Sequence, residues 1–228
     1  MISLIIPVLN EQAQIGEAIG RIRLLAGGER AEIIVADGDP AGGTLRAISD
    51  PAVRGMVCAP GRGTQLNRGA AAAAGEVLLF LHADTNLPPN ALTLIEETLR
   101  DETLAGGAFD LAIASPRPAF RLIERVASLR TRLTRIPYGD QAIFLRRDRF
   151  RSLGGFREIP LMEDVDLMRR LKRAGGRIAI LPARAVTSAR RWEREGILFT
   201  TLRNWALVTL FLLGADPCRL VRWYRPHR

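Results

Sequence analysis

Very little in this chain could hold it together by covalent or metal staples. Its 228 residues contain two cysteines, Cys58 and Cys218, far apart and outside any ligand-spaced cluster, which argues against a structural zinc site and suits a reducing, cytoplasmic setting. They read as a core thiol and a surface thiol. Lysine is nearly missing: Lys172 is the single lysine among 33 basic residues, and against 24 acids the formal charge is +9. Arginine suits forked recognition of phosphate and carboxylate. The same bias also follows from genome composition, so charge alone does not choose among nucleic acid, anionic lipid and a phosphorylated substrate. Long apolar runs are absent too. The opening MISLIIPVLN has no basic lead-in and is interrupted by Pro7, which reads as a first strand rather than a signal peptide. The stretch 196–214 is broken by Arg203 and Asn204, short of a clean membrane span. Neither an aromatic RNA-binding sheet signature nor a helix-turn-helix pattern is present, which argues against a nucleic-acid partner. With no repeats and no long linker, the expectation is one domain over residues 1–190. Residues 191–228 follow as a helical extension.

What is present is organised around Val77 to Thr85, VLLFLHADT, an apolar run that stops on His82 and Asp84. It reads as a short strand buried on both faces. In open α/β sheets ligands bind outside the carboxyl ends of strands, so Asp84 is either a site acid or a cap for the next helix. Before it, Ser3–Pro7 is a strand, and Ile15, Ile19, Ile22 and Leu25 keep helical spacing up to Gly27-Gly28. Glu32–Ala36 is a second strand ending on Asp37-Gly38-Asp39-Pro40, and Met56–Ala59 a third. Gly61-Arg62-Gly63 then opens an alanine-rich helix. Its glycines either cradle a phosphate or let the helix pack closely. A helix follows over about 89–100. This alternation specifies an α/β fold with a mostly parallel, Rossmann-like sheet, which would bring Asp37, Asp39 and Asp84 together along one edge.

The second half is less regular. Ala105–Ala114 reads as a strand, and 117–135 as a basic amphipathic helix carrying Phe120, Ile123, Val126, Leu129 and Leu133. Tyr138–Gln141 turns into a strand over Ala142–Leu145. Gly154-Gly155-Phe156 turns again, and Glu163-Asp164-Val165-Asp166 begins a helix stopped by Gly175-Gly176. Three acids at a helix start are ordinarily macrodipole and capping chemistry. Arg177–Leu181 is the last strand, followed by a long helix beyond Trp192. The tail sets Arg219, Arg222, Arg225 and Arg228 among Leu220, Val221, Trp223 and Tyr224. Such a tail suits an anionic membrane surface, or packing on the domain or on a second copy of the chain in a homodimer.

Taken in order, Ile5-Ile6-Pro7-Val8-Leu9-Asn10-Glu11, Val35-Ala36-Asp37-Gly38, His82-Ala83-Asp84, Gly154-Gly155-Phe156 and Met162-Glu163-Asp164 resemble glycosyltransferase family 2, of GT-A fold. Arg62–Asn67, Pro137–Gln141 and Ser188–Trp192 resemble more narrowly a bacterial subgroup known as rSAM/selenodomain-associated transferases. The resemblance implies an inverting transferase that moves a sugar from a UDP- or GDP-sugar to a hydroxyl acceptor. The lack of clean spanning segments, together with Ser188, which stands where processive members carry a glutamine, favours a single transfer over polymer synthesis. It implies a nucleotide-sugar pocket lined by Pro7, Glu11, Asp37, Arg62 and Asp84. Asp84 matches the last acid of the family's Asp-x-Asp element, which holds magnesium or manganese. His82 stands where the first acid would be, as a second candidate ligand, and Ala36 replaces an acid often found before Asp37. Asp164 matches the general base and Glu163 its neighbour. Arg191-Trp192 resembles the end of a Gln-x-x-Arg-Trp motif, with Ser188 in place of the glutamine. Arg191 would stabilise the departing diphosphate, and Trp192, Asp140 and Gln141 would meet the acceptor, although Asp140 equally suits a turn cap. Two other classes stand beside this reading. One is a sugar-nucleotide pyrophosphorylase, whose Gly-rich loop after the first strand is replaced here by Pro7–Glu11. The other is a non-catalytic basic module for membrane or nucleic acid, for which the strand-tip acids would be dispensable.

Overall fold

The structure, a computed structural model, describes residues 1–26 and 31–224. The helix stop expected at Gly27-Gly28 and the tail positions Arg225, His227 and Arg228 lie outside the described residues. The chain runs β1 (Ile2–Val8), α1 (Ile15–Ala26), β2 (Ala31–Asp37), α2 (Gly43–Arg46), β3 (Val53–Val57), α3 (Arg62–Ala72), β4 (Val77–Phe80), β5 (Thr85–Asn86), α4 (Ala91–Thr98) and β6 (Leu104–Ala114). It continues through α5 (Pro118–Thr134), β7 (Phe144–Arg146), α6 (Arg147–Ser152), α7 (Glu163–Arg173), β8 (Arg177–Ser188), α8 (Arg190–Glu195), α9 (Ile197–Leu212) and α10 (Pro217–Leu220).

The strands form one eight-stranded sheet in the order β3-β2-β1-β4-β7-β6-β8-β5. Strands β3, β2, β1 and β4 are parallel, β7 runs against both β4 and β6, and β6 pairs parallel with β8. Every residue of β1 is buried, which explains its unbroken apolar run: a central strand covered on both faces needs no polar side. One core lies under α1 and α4 with Leu4, Ile6, Ile33 and Leu79. The other lies on the opposite face with Ile5, Ile34, Leu78 and Phe80 against α3 and α7. The expected α/β architecture is the one observed.

Three elements differ from expectation for identifiable reasons. Strand β4 stops at Phe80, and His82-Ala83-Asp84 turns the chain, with the Thr85 N–H on the His82 carbonyl at 3.1 Å. The chain resumes as β5, antiparallel to β8. Strand β8 runs on to Ser188 instead of stopping at Leu181, because a register shift opposite Phe109/Asp110 absorbs Pro182 and Ala183 before pairing resumes at Arg184. A proline without an N–H is tolerated at such a bulge. The helix expected beyond Trp192 is split at Gly196, whose φ of 93° falls where other residues are strained.

Helix α3 lies so close to the sheet that a Cβ at Gly69 would sit 2.4 Å from Ile5 Cγ2. Gly16, on α1, has nothing within 4 Å of the same position. The two helical glycines should therefore respond oppositely to one methyl group. Gly16→Ala is expected to raise unfolding free energy by about 0.5–1 kcal/mol through helix propensity. Gly69→Ala is expected to lower it by about 1–3 kcal/mol through overpacking. Urea melts of both variants check this.

Candidate active site

The site begins with two loops that are held from behind. At the tip of β2, Asp37 is fully buried and both its oxygens are occupied, accepting the N–H of Asp39 at 2.9 Å and of Thr44 at 3.0 Å. The Gln65 amide, also buried, donates to the carbonyls of Val8 at 2.7 Å and Ala36 at 2.8 Å. It thereby ties the ends of β1 and β2 together. Asp39 accepts the N–H groups of Ala41 and Gly43, and the first of these bonds above all holds its carboxyl below the ordinary range. Of Asp37, Asp39 and Asp84, expected together along one edge, the first two have their carboxylates taken up by backbone N–H groups of their own loop. The first two are Asx-type turn acids that shape the loop, the bland role that Asp-Gly-Asp-Pro spacing also suits. Asp37 does not line the cavity beside that loop.

That cavity, of about 250 Å³, opens where the tips of β1 and β4 face the start of α7. Pro7 and Glu11 reach it from the first loop, Arg62 from the start of α3, and His82 and Asp84 from the turn after β4. Asp140, Glu163 and Asp164 line it from the other side, with Arg191 and Trp192 from α8. The acids that converge are thus Glu11, Asp84, Asp140, Glu163 and Asp164.

Asp164 is aimed by backbone. Its Oδ2 accepts the Gly139 N–H at 2.6 Å and its Oδ1 the Val165 N–H at 2.7 Å. Gly139 is wedged in place: a Cβ there would lie 2.8 Å from His82 Nε2 and 3.4 Å from Asp164 Oδ2. Only a residue without a side chain lets the 139–141 turn bring these two groups together. Met162 enters α7 in the left-handed region at φ 68°, a costly conformation for a bulky residue that positions the two acids following it.

The charges are interlocked. Arg62 contacts buried Glu163 at 3.4 Å. Burial works against the Arg62 charge, but Glu163, then Asp164 and Asp84, outweigh it and raise its pKa. Burial likewise pushes Glu163 up, with Arg62 opposing. Asp140 is pushed up to about 6, first by burial and then by Asp164 and Asp84, while Arg130 pulls the other way. Arg130 is itself lowered to about 10 by burial, against the attraction of Asp140, and its guanidinium lies 3.3 Å from the Tyr138 ring centroid. Arg191 is lowered by burial and by the like charge of Arg62, and it lies over the Tyr224 ring at 4.5 Å.

Gln141, expected near the acceptor, sits behind the cavity wall. It is buried, its Oε1 accepting from Thr131 Oγ1 at 2.9 Å and its Nε2 donating to the Phe109 carbonyl at 3.0 Å. It braces the turn behind Asp140 and does not line the cavity. Gly63 is explained by packing, since a Cβ there would lie 2.5 Å from the Arg157 carbonyl oxygen, and Gly61 by its φ of 136°. Arg130, Tyr138, Asn204 and Tyr224 were not named as site residues from sequence. The first two share one helix-to-turn hairpin and the last two come from the C-terminal segment, so only three-dimensional folding brings them to the site.

Among the described residues no group of three His, Cys, Asp or Glu side chains could by itself hold a metal ion. The donor set nevertheless fits magnesium or manganese shared with a substrate. Such ions commonly take one or two carboxylates and complete their shell with water and phosphate oxygens. Asp84 supplies the hard oxygen, with His82 beside it in the same turn.

A family model described as Glycosyl transferase family 2 matches residues 3–154. No curated protein matches the chain. Among solved structures, the mannosyltransferase PcManGT from Pyrobaculum calidifontis, in complex with GDP-Man and Mn2+, is 22% identical with a TM-score of 0.65, over 81% of this chain and 56% of that one. TarS 1–349 of S. aureus, in complex with UDP-GlcNAc, is 16% identical with a TM-score of 0.63, over 82% of this chain and 58% of that one. The chain therefore spans under two thirds of the length of either, and at these identities the likeness establishes the shared GT-A fold.

The raised Asp140 pKa has a consequence for stability. Between the ordinary carboxylate range and about pH 6 the folded protein keeps a proton that the unfolded chain has released, so stability falls as pH rises through that window. Asp140→Asn cannot lose that proton. Its melting temperature is expected to exceed that of the unsubstituted protein above about pH 7, and the gap to close below about pH 3.5. Thermal melts across that range check it.

Proposed function

The chain belongs to glycosyl transferase family 2, and from that membership we propose that it transfers a single sugar from a nucleotide-diphosphate donor to a hydroxyl acceptor with inversion. The observation that carries the reading is one cavity with two arginines, Arg62 and Arg191, facing Asp84 and a backbone-aimed Asp164. A diphosphate leaving group needs cations, and an attacking hydroxyl needs a carboxylate to take its proton.

In this reading the donor diphosphate enters between Pro7 and Glu11 on one side and Arg191 on the other. A divalent metal, when bound at Asp84 with His82, would supply charge neutralisation to the diphosphate. Asp164 accepts the acceptor's proton as the new bond forms at the anomeric carbon and the bond to the diphosphate oxygen breaks on the opposite face. Two of the roughly four lone-pair sites of its carboxylate hold backbone N–H groups, which leaves sites for that proton. Arg191 and Arg62 hold the charge that develops on the departing nucleoside diphosphate. Glu163 keeps Arg62 in position. UDP- and GDP-sugars both suit this cavity chemistry, and the Arg62–Asn67, Pro137–Gln141 and Ser188–Trp192 stretches favour the rSAM/selenodomain-associated subgroup.

The test is transfer from a panel of UDP- and GDP-sugars, followed as release of nucleoside diphosphate. Asp164→Asn is expected to lower turnover by about 10²–10⁴-fold with donor affinity retained, as loss of a general base does. Turnover near the unsubstituted rate would remove Asp164 from the base role.

A further inference from the structure

A second cavity adjoins the first. It is a groove of about 470 Å³ between α5 and α9, within the size range of ordinary ligand sites. Its walls are Leu111, Ile123, Val126, Trp205, Val208 and Leu212. Tyr138, Asp140, Val165, Trp192, Asn204 and Val208 line both cavities, so the apolar groove runs directly into the acid site.

Two further observations say what enters it. At the junction, the Trp192 indole N–H and the Asn204 side-chain oxygen are buried without a hydrogen-bond partner among the described residues. Buried polar groups are costly unless satisfied, so the indole N–H offers a donor and the amide oxygen an acceptor to a polar head. At the outer end the apolar surface does not stop. On α5, Leu122, Val126, Leu129 and Leu133 recur at i, i+4, i+7 and i+11, one continuous stripe. Leu122 is 65% exposed and Leu133 73%. The basic helix read from sequence thus turns Phe120 inward, Ile123 into the groove and Leu129 and Leu133 outward. Across the groove, α9 exposes Leu198, Phe199, Leu202, Trp205 and Leu210. Arg125, exposed, lies along one edge of the α5 stripe, as suits an anionic headgroup, while Arg132 on the same edge is paired with Asp110 at 2.5 Å. Among the described residues no helix is long and apolar enough to cross a membrane, so this face can lie on a bilayer without spanning it.

We propose that the acceptor is a hydroxyl-bearing membrane lipid. Its hydrocarbon chain lies in the α5–α9 groove, and its head lies at Trp192 and Asn204 next to Asp164. A second copy of the chain would cover the outer stripe, but it would not account for a groove that leads to the acid site or for unpartnered polar groups at the junction. The proposal rests on the transferase reading for the reaction, while the binding it requires is measurable without any turnover.

The probes are primary alkanols from butanol to decanol, titrated against the full chain while tryptophan fluorescence is followed, because Trp192 and Trp205 both line the groove. Affinity is expected to tighten by about three- to fourfold per added methylene. Val126→Asp should flatten the series, Val126→Leu should preserve it, and melting temperatures show that both variants are folded. In parallel, the protein is expected to float with phosphatidylglycerol vesicles and not with phosphatidylcholine vesicles. An affinity independent of chain length overturns the groove assignment. Failure to float overturns the membrane source, and a dimer by sedimentation that Leu129→Asp dissociates assigns the stripe to a second copy. If alkanols bind as expected while no nucleotide sugar binds, the transferase reading fails and the apolar site stands.

Discussion

The Arg62 guanidinium is the charge on which the site depends. It reaches in from the first residue of α3, contacts a Glu163 carboxylate that is only 3% exposed, and feels Asp164 and Asp84 beyond it. Without a cation there, acids gathered from four separate segments would face one another in a poorly solvated cleft, and like charges so placed resist joint ionisation. A buried pair of this sort contributes little net stability, because desolvating both ions offsets most of their attraction. What it supplies is position: it fixes the start of α3 against the start of α7, so that the acids and arginines share one cavity.

Around that pair, backbone does much of the aiming. The Gly139 N–H holds Asp164, and the absence of a Gly139 side chain makes room for His82. Gln65 joins the loops after β1 and β2, and Asn67 clamps Phe156 by accepting its N–H and donating to its carbonyl, both at 2.9 Å. Phe156 in turn packs on Phe80 and Phe150, with ring centroids 4.9 and 5.5 Å away. The Gly-Gly-Phe turn is therefore scaffold: it braces the end of β4, from which the His82–Asp84 turn departs. Groups held by packed scaffold keep their geometry as charge develops, the condition electrostatic catalysis requires.

Strands β1, β2 and β4 of the parallel half were plain in the sequence because strands buried on both faces leave unbroken apolar runs such as Leu4-Ile5-Ile6 and Leu78-Leu79-Phe80, whereas the largely exposed β3 starts at Val53 and not at the expected Met56. The mixed half was less so. Strand β8 hides its second segment behind Pro182, and β5 is two residues long, too short for any periodicity to register. Of the residues that line the cavity, Arg62, Asp84, Asp164 and Arg191 could be named from motif order. Asp37 and Gln141 belong to the same motifs but serve the loops, since motif membership does not separate a residue that faces ligand from one that holds the residue that does. Arg130 and Tyr224 carried no local signal, their places being set by tertiary packing of α5 and of the C-terminal segment.

That C-terminal segment completes the cavity. Leu207 and Leu220 share a small core with Leu161, Met162 and Val165 at the head of α7, and Tyr224 stacks beneath Arg191 and Arg203. One helix thus closes the acid site with one face and lines the apolar groove with another. The central claim is that the cavity binds a nucleoside diphosphate through its arginines with a divalent ion at Asp84. The most direct measurement is a thermal melt with UDP or GDP, with and without manganese. The account predicts a rise of roughly 5 °C or more for one of the two nucleotides at a hundredfold excess over its dissociation constant, dependent on manganese. A melting temperature unmoved by either nucleotide, with the metal present, would contradict it.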